Sequence, residues 1–297
     1  MKSVYDQVKD GQLVCPVTKQ TLSFLTNELR TQDGLRTYPV ANGTPIFLDP
    51  DLQREYISEN GGEMSQKYET KPPRRFSLRW FDRKLFSGGT PDYRPASCRD
   101  AKRTAIDRQP DDALCVAVGG GPMRHGPNLV NINIGLFDNV DIVADAYNLP
   151  YADECVDAVF IEAVLEHLEF PEKAVAEIHR VLRKGGQVFA ATPFLQHYHG
   201  YPNHFQNFTL TGHSRMLERS GLAIISDGVA VGPTKMLFTI TSQYLEIAVQ
   251  SKVIRGIAKR LLSLFARMFI PLDRILNTRP NASNLCSVTY AHAAKPE

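Results

Sequence analysis

The chain has 297 residues, of which 43% are hydrophobic and 22% are charged, an ordinary composition for a folded protein. Its length allows a sizeable core together with a second small module. The net charge is only +2, so the overall charge gives no reason to expect nucleic acid as the main partner. The chain opens without a secretory signal and contains no uninterrupted apolar run of transmembrane length, so we expect a cytoplasmic protein.

Residues 1–50 predict a small module rich in β-strands. Short β-prone runs at residues 13–19, 35–40 and 45–48 are separated by Asp-Gly and Asn-Gly turn signals. The segment resembles the zinc-ribbon-like module related to Trm112, whose members often read CPxCK and then YPVxxGIPxxL. Thr18 stands where the second cysteine of that metal site would be, so we expect no zinc. The module is expected to pack on the main domain or on a partner.

Residues 51–111 predict a connector that contains helices. Within it, Arg74, Arg75, Arg79, Arg83 and Lys84 interleave with Phe76, Trp80, Phe81 and Phe86. Such a mixture can bind single-stranded nucleic acid. It can also form an amphipathic helix whose aromatic side chains pack on the core while its cations stay solvated. Because the charges of the whole chain nearly balance, we favour the packed helix.

Residues 112–230 alternate between apolar runs and helical patterns. Strands are predicted at residues 112–118, 129–134, 140–144, 156–161 and 187–191. A helix is predicted at residues 171–184, opened by a proline and ended by Gly185-Gly186. This alternation predicts an α/β fold, a parallel sheet with helices on both faces. The strand ends are rich in glycine, amide and acid, as is typical of a small-molecule site.

Four motifs in this region, in the right order, resemble a class I S-adenosylmethionine-dependent methyltransferase of the type 11 group. They are GGG after the first strand, ADAYNLP after the third, EAVLEH after the fourth and EIHRVLRKGG before the fifth. The resemblance covers residues 112–230. It implies a Rossmann-like, doubly wound, seven-stranded sheet with an antiparallel strand 7, and S-adenosyl-L-methionine as the cofactor.

The resemblance also implies cofactor-binding positions. These are Gly119, Gly120 and Gly121 beside the methionine part, Asn133 at the ribose, Asp145 and Ala146 at the adenine, and Glu162 and Ala163 on the pocket floor. Asn133 replaces the usual acid, which weakens the expected ribose contact unless the nearby Asp138 compensates. Asp145 could instead cap the next helix, and Glu162 could be a solvated strand end. Residues 122–128 leave room for one or two helical turns.

Histidines crowd the segment that follows the fifth strand. We hypothesise that His199 or His204 is the base on the acceptor side, and that His167, at the end of EAVLEH, helps to shape the pocket. His199 and His204 could instead hold the loop by hydrogen bonds. Imidazoles also suit zinc, nickel and iron, but the segment contains no carboxylate or cysteine that would complete a site. We therefore expect no metal.

The C-terminal region predicts a helix at residues 211–220, a sixth strand at 222–226, a helical insertion or lid at 231–283 and a final strand and tail at 284–297. Within the insertion, Lys252–Phe269 divides into a basic and an apolar face. Such a helix lies on an anionic membrane surface or packs as a lid or homodimer face. The membrane alternative would place the protein at the inner face of a membrane and would suit a lipid-linked acceptor.

We expect a methyltransferase acting on a small-molecule or glycan-type acceptor, at oxygen. The fourth strand ends in IEAVLEH rather than NPPY or DPPY, and the chain has no Pro-Cys pair, which sets aside two ways of methylating nucleic acid bases. Two alternatives stay open. One is a catalytically inactive scaffold or binding protein of the same fold, and the other is an RNA methyltransferase. No motif identifies the acceptor.

Overall fold

The computed structural model describes residues 3–48, 92–200 and 203–297. The aromatic and basic stretch at residues 74–86 lies outside the described residues. So does most of the connector that was expected at residues 51–111. The predictions made for this stretch therefore stay predictions.

The N-terminal module is a short helix followed by a four-stranded antiparallel sheet. The elements are α1 (Val4–Lys9), β1 (Leu22–Leu25), β2 (Glu28–Thr31), β3 (Thr37–Ala41) and β4 (Thr44–Pro45). The module packs on the main domain, where the Phe47 N–H donates to the Val143 carbonyl at 2.8 Å and the Val14 N–H donates to Pro150 at 3.0 Å. Cys15 is buried, and its Sγ lies 3.0 Å from the Tyr38 hydroxyl. The expected small β module is thereby confirmed.

A seven-stranded sheet forms the centre of the molecule in the order β10-β11-β9-β8-β5-β6-β7. Its strands are β5 (Cys115–Val118), β6 (Leu129–Asn133), β7 (Ile142–Val143), β8 (Val156–Glu162), β9 (Leu182–Pro193), β10 (Ala223–Val231) and β11 (Val288–Ala294). Neighbouring strands from β9 to β7 pair in parallel, whereas β11 is antiparallel to both β9 and β10. This confirms the α/β, Rossmann-like sheet with an antiparallel last strand.

Two hydrophobic clusters cover the two faces of this sheet. Val116, Ile132 and Ile161 belong to one cluster, while Ala117 and Phe160 belong to the other. Successive residues of a strand point to opposite faces, so the uninterrupted apolar runs of the sequence fill both layers at once. The second cluster includes residues of α2 (Ala96–Lys102), and the first includes residues of α3 (Pro171–Val181) and α4 (Leu210–Arg219).

Three boundaries differ from the sequence expectations. Helix α3 ends at Val181, and Gly185-Gly186 lie inside β9 because their backbone pairs with Lys295 at the chain end. Strand β10 extends to Val231, because it pairs along the whole of β11 with two register shifts. Residues 122–128 contain no helix, since Arg124 instead forms an ion pair with Asp141 at 2.9 Å.

The predicted helical insertion is present as α5 (Pro233–Ala248), α6 (Lys252–Phe269) and α7 (Asp273–Leu276). Asp273 is buried and caps α5, accepting the N–H groups of Thr234 at 2.9 Å and Lys235 at 3.0 Å. Of the 18 residues of α6, all of which the structure describes, Ala266 alone is buried. Within the described residues, no helix combines the length and apolar character needed to cross a bilayer.

Candidate active site

A cleft of about 510 Å³ opens at the carboxyl ends of β5, β6, β7 and β8. Its volume lies within the range of about 300–1,000 Å³ that is usual for small-molecule sites. Eight of the predicted site residues line it, namely Gly119, Gly121, Asn133, Asp145, Ala146, Ala163, His167 and His199. The cleft therefore joins the expected cofactor positions and the expected acceptor positions in one space.

The glycine loop approaches the cleft through backbone that side chains could not occupy. Gly119 has a φ of +72°, and a Cβ there would lie 2.3 Å from a methyl group of Val164. Gly121 has a φ of +60°, and its missing side chain leaves open space. Gly120 does not line the cleft, because it packs against the side chain of Asn131. The expected cofactor role of Gly120 stays a prediction.

Asn133, at the end of β6, is buried and holds the glycine loop. Its Oδ1 accepts the Gly121 N–H at 3.3 Å, and its Nδ2 donates to the Gly135 carbonyl at 3.0 Å. Both ends of the amide are therefore engaged within the protein. Asp138, the alternative acid near this position, is exposed and does not line the cleft.

Asp145 follows β7 and lines the cleft together with Ala146. Its Oδ1 accepts the Tyr147 N–H at 3.0 Å, so the carboxylate closes a turn and does not cap a helix. Burial raises the pKa of Asp145 above its ordinary value, although the hydrogen bond from Tyr147 opposes the shift. A carboxylate in this half-buried position can still accept further hydrogen bonds from a ligand.

Glu162 and Ala163, at the end of β8, have separate roles. The Glu162 carboxylate forms a two-point ion pair with the Arg94 guanidinium, whose Nη1 lies 3.2 Å from Oε2. Glu162 is not among the residues that line the cleft, and its place on the pocket floor stays a prediction. Ala163 does line the cleft, and its φ of +55° is uncommon for a residue with a side chain.

His167 and His199 also line the cleft, and hydrogen bonds fix the orientations of their rings. The Nδ1 of His167 lies 2.6 Å from the Asn203 carbonyl, and the Nδ1 of His199 lies 2.9 Å from the His197 carbonyl. A carbonyl oxygen can only accept, so each Nδ1 carries a proton and donates it. In the neutral form of each ring, the lone pair is therefore on Nε2.

Glu166 was missed by the sequence reasoning. It is fully buried, and its Oε1 lies 3.7 Å from the Nε2 of His167 and 3.9 Å from the Nε2 of His199. Within the described residues, neither of its carboxylate oxygens has a hydrogen-bond partner. The carboxylate raises the pKa of His199 above its ordinary value. Glu166 belongs to the EAVLEH motif, whereas the sequence prediction considered carboxylates only within the histidine-rich loop.

His204 holds the loop and does not line the cleft. Its Nδ1 accepts the His199 N–H at 3.3 Å, and its Nε2 donates to the Asn207 side chain at 2.8 Å. Both ring nitrogens are therefore engaged, which matches the loop-holding alternative. The expectation that His204 is a base has no support in this geometry.

The fold and the cleft define a class of protein. A parallel sheet with a glycine-rich loop and an open cleft at its carboxyl ends is a Rossmann-like nucleotide-binding arrangement. Residues 127–190 match the family Methyltransf_11, described as a methyltransferase domain. The matched segment extends from the start of β6 into β9. This segment therefore matches a methyltransferase domain, and the expected cofactor, S-adenosylmethionine, is confirmed.

Solved structures with similar folds share little sequence with this chain. The [4+2]-cyclase SpnF has 18% identity and a TM-score of 0.42, over 67% of this chain and 80% of the cyclase. Phosphoethanolamine N-methyltransferase 2 of Haemonchus contortus, solved with S-adenosyl-L-methionine, has 14% identity and a TM-score of 0.42, over 67% of this chain and 52% of that enzyme. This chain thus spans about half of that enzyme.

The YcgJ protein of Bacillus subtilis has 14% identity and a TM-score of 0.41, over 68% of this chain and 98% of YcgJ. No curated protein sequence matches the chain. Similarity at this level carries no inference about the acceptor, which has to be argued from the cleft itself.

Proposed function

We propose that the protein transfers a methyl group from S-adenosylmethionine to an oxygen atom of a small-molecule or glycan-type acceptor. The observation that carries this proposal is that one cleft is lined both by Gly121 and Asp145 and by His167 and His199. Methyl transfer is an in-line displacement, so a site that holds donor and acceptor in one space supplies much of the acceleration.

The histidine end of the cleft favours an acceptor that donates a hydrogen bond. The Nε2 atoms of His167 and His199 have lone pairs in the neutral rings, and Glu166 adds a carboxylate behind them. A hydroxyl group can donate to such atoms and is held with its oxygen beside the cofactor. We assign the predicted role of acceptor-side base to His199, with His167 shaping the pocket.

A catalytically inactive binding protein is the second candidate. It is favoured by Asn133, whose amide is engaged with Gly121 and Gly135 and whose usual acidic counterpart is missing. Titration calorimetry with S-adenosylmethionine separates the two candidates. Absence of binding at millimolar cofactor would favour the inactive protein.

The proposed activity is tested by a methyl-transfer screen with labelled cofactor against fractionated cell extract. Once an acceptor is found, His199→Ala is expected to lower turnover by about 100-fold or more, the usual contribution of a positioned base. His179→Ala, a half-buried histidine on α3 outside the cleft, is the matched control. Full turnover in both His199→Ala and His167→Ala would contradict the roles of acceptor-side base and pocket-shaping residue assigned to these histidines.

We further propose that the acceptor reaches the cleft from an anionic membrane surface. Helix α6 carries five basic and no acidic residues, and its long apolar side chains are exposed. A helix with basic residues and exposed apolar side chains is the kind that lies on an anionic membrane surface, as a lipid-linked acceptor would require.

Three other expectations remain proposals. The first is the resemblance of the N-terminal module to Trm112; the module contacts the edge of the sheet at Val143, two residues before Asp145. A homodimer through α5 and α6 is an alternative use of their exposed apolar faces. An RNA acceptor is the least favoured alternative. A salt-dependent gel shift with RNA would support it.

A further inference from the structure

We infer that Glu166, His167 and His199 form a binding site for a divalent transition-metal ion at the acceptor end of the cleft. One ligand atom of each residue lies within 4.8 Å of the other two. The residues come from two parts of the chain, a 3₁₀ turn after β8 and the loop after β9, so the tertiary structure assembles the group. His167 and His199 line the cleft, while Glu166 lies behind them.

The hydrogen bonds around the group leave a position that a cation would fill. Each histidine donates its Nδ1 proton to a backbone carbonyl, so both Nε2 lone pairs lie near the Glu166 carboxylate. Three hydrogen-bond acceptors thus converge, and within the described residues no donor reaches the carboxylate. A buried carboxylate without a partner is costly, and a cation bound between the three groups would remove this cost.

The ligand set selects the kind of ion. Two imidazoles and one carboxylate suit zinc, cobalt, manganese or iron, whereas magnesium and calcium prefer sites made of oxygen. Ligand distances of about 2.0–2.2 Å place neighbouring ligand atoms about 3–3.5 Å apart, so modest side-chain rotations would close the site. A carbonyl bound to the second ring nitrogen, as found for both histidines, is the usual support of a metal-bound imidazole.

The ion would act on the acceptor, a consequence that rests on the proposed function. Three protein ligands leave coordination positions open on the side of the cleft, where an acceptor hydroxyl can bind and lose its proton to solvent. The oxygen then forms a bond to the methyl carbon, the carbon–sulfur bond breaks, and its electron pair stays on sulfur. With the ion bound, the two Nε2 atoms are ligands and hold the acceptor through the metal.

The site is tested by metal binding, which needs no acceptor. Full-length protein is stripped with a chelator and titrated with Co²⁺, followed by visible absorption, and with Zn²⁺, followed by calorimetry. We expect one ion per chain, with no comparable binding of Mg²⁺. Glu166→Gln and His199→Ala should each weaken binding by at least about tenfold. His179→Ala, outside the cleft, should bind as the wild type does.

Thermal unfolding separates loss of the site from loss of the fold. Glu166→Gln keeps the shape of the side chain and can donate to the histidines, so the metal-free variant should be at least as stable as the metal-free wild type. Bound Zn²⁺ should raise the wild-type Tm and leave that of Glu166→Gln nearly unchanged. The inference is overturned if wild-type protein gives no Co²⁺ absorption band, or if Glu166→Gln binds as tightly.

The same preparations keep this inference separate from the proposed function. Cofactor binding is measured by calorimetry on the stripped protein. Metal binding without cofactor binding would leave the site standing and remove the methyltransferase. Cofactor binding without metal binding would support the proposed methyltransferase and overturn the metal site.

Discussion

The side-chain amide of Asn133 joins two loops that border the cleft. It accepts the backbone N–H of Gly121 at 3.3 Å and donates to the carbonyl of Gly135 at 3.0 Å. An acid at this position could accept from Gly121 but could not donate to Gly135. The amide therefore stabilises the two loops, but it leaves no free oxygen to accept a hydrogen bond from the ribose. A substitution at this position should change both the stability of the protein and its affinity for the cofactor.

Asn133→Asp is expected to destabilise the cofactor-free protein by about 1–3 kcal/mol, because the Gly135 carbonyl loses its donor. The second carboxylate oxygen gains the ability to accept from a ribose hydroxyl. S-adenosylmethionine should therefore raise the Tm of this variant by more than it raises the wild-type Tm. Asn131→Asp, on the same strand but not lining the cleft, loses two donations where Asn133→Asp loses one, and it should show no such gain. Equal shifts in all three proteins would contradict the ribose contact.

Gly121→Ala separates backbone strain from cofactor contact. An alanine at a φ of +60° costs about 1–2 kcal/mol, and its methyl group would project into open space at the cleft. Gly34→Ala is a matched control in the N-terminal sheet, where φ is +72° and nothing lies within 4 Å. We expect similar losses of stability in urea unfolding, with weaker S-adenosylmethionine binding by calorimetry in Gly121→Ala only. Weaker binding in both variants would point to a global effect.

His213 makes the stability of the protein dependent on pH. It is fully buried in α4 beside the Thr289 hydroxyl, and burial lowers its pKa to about 4. The unfolded chain takes up a proton near pH 6.5 and the folded protein does not, so stability falls as the pH drops from 6.5 towards 4. We expect His213 to account for about 2 kcal/mol of the loss between pH 7 and pH 5.

His213→Gln should remove this part of the pH dependence. The measurement is the free energy of unfolding in urea at the two pH values, for wild type and variant. A loss of stability that is equal in the two proteins would show that other groups carry the effect. His292, which is also buried with a lowered pKa, is the first of these to replace.

Helix α6 is expected to bring the protein to vesicles that contain anionic lipid. In a flotation assay, the wild type should float with anionic vesicles and less so at high salt, since screening weakens the attraction. Ile257→Glu combined with Leu261→Glu places charges on the exposed apolar face and should abolish flotation. Leu35→Glu, an exposed position in the N-terminal module, is the control. A wild-type dimer that does not float, and that the double variant dissociates, would favour a homodimer instead.

The order of the elements could be predicted because the apolar runs are local signals. Residues on both faces of a central parallel strand are buried, so Val116 and Ala117 are both apolar although they belong to different layers. The ends of the elements were less predictable. Gly185-Gly186 resembled a helix stop, but contact with Lys295, far along the chain, makes them part of β9.

The part of the site that is formed by backbone, the glycine loop, could be predicted from the sequence. Gly119 and Gly121 were placed correctly in the cleft because their conformation excludes most side chains. The side-chain role of Glu162 was not predictable, since its partner Arg94, 68 residues earlier in the chain, is joined to it only by folding.

The sequence by itself determined the class of fold, the glycine loop and the cofactor, because these follow from periodicity and from motifs read along the chain. Only the tertiary structure decided which polar side chains meet. It paired Glu162 with Arg94, occupied the amide of Asn133 and brought His199 to Glu166 and His167. The physical reason is that hydrogen bonds and ion pairs act over a few ångströms in space, whatever the separation along the chain.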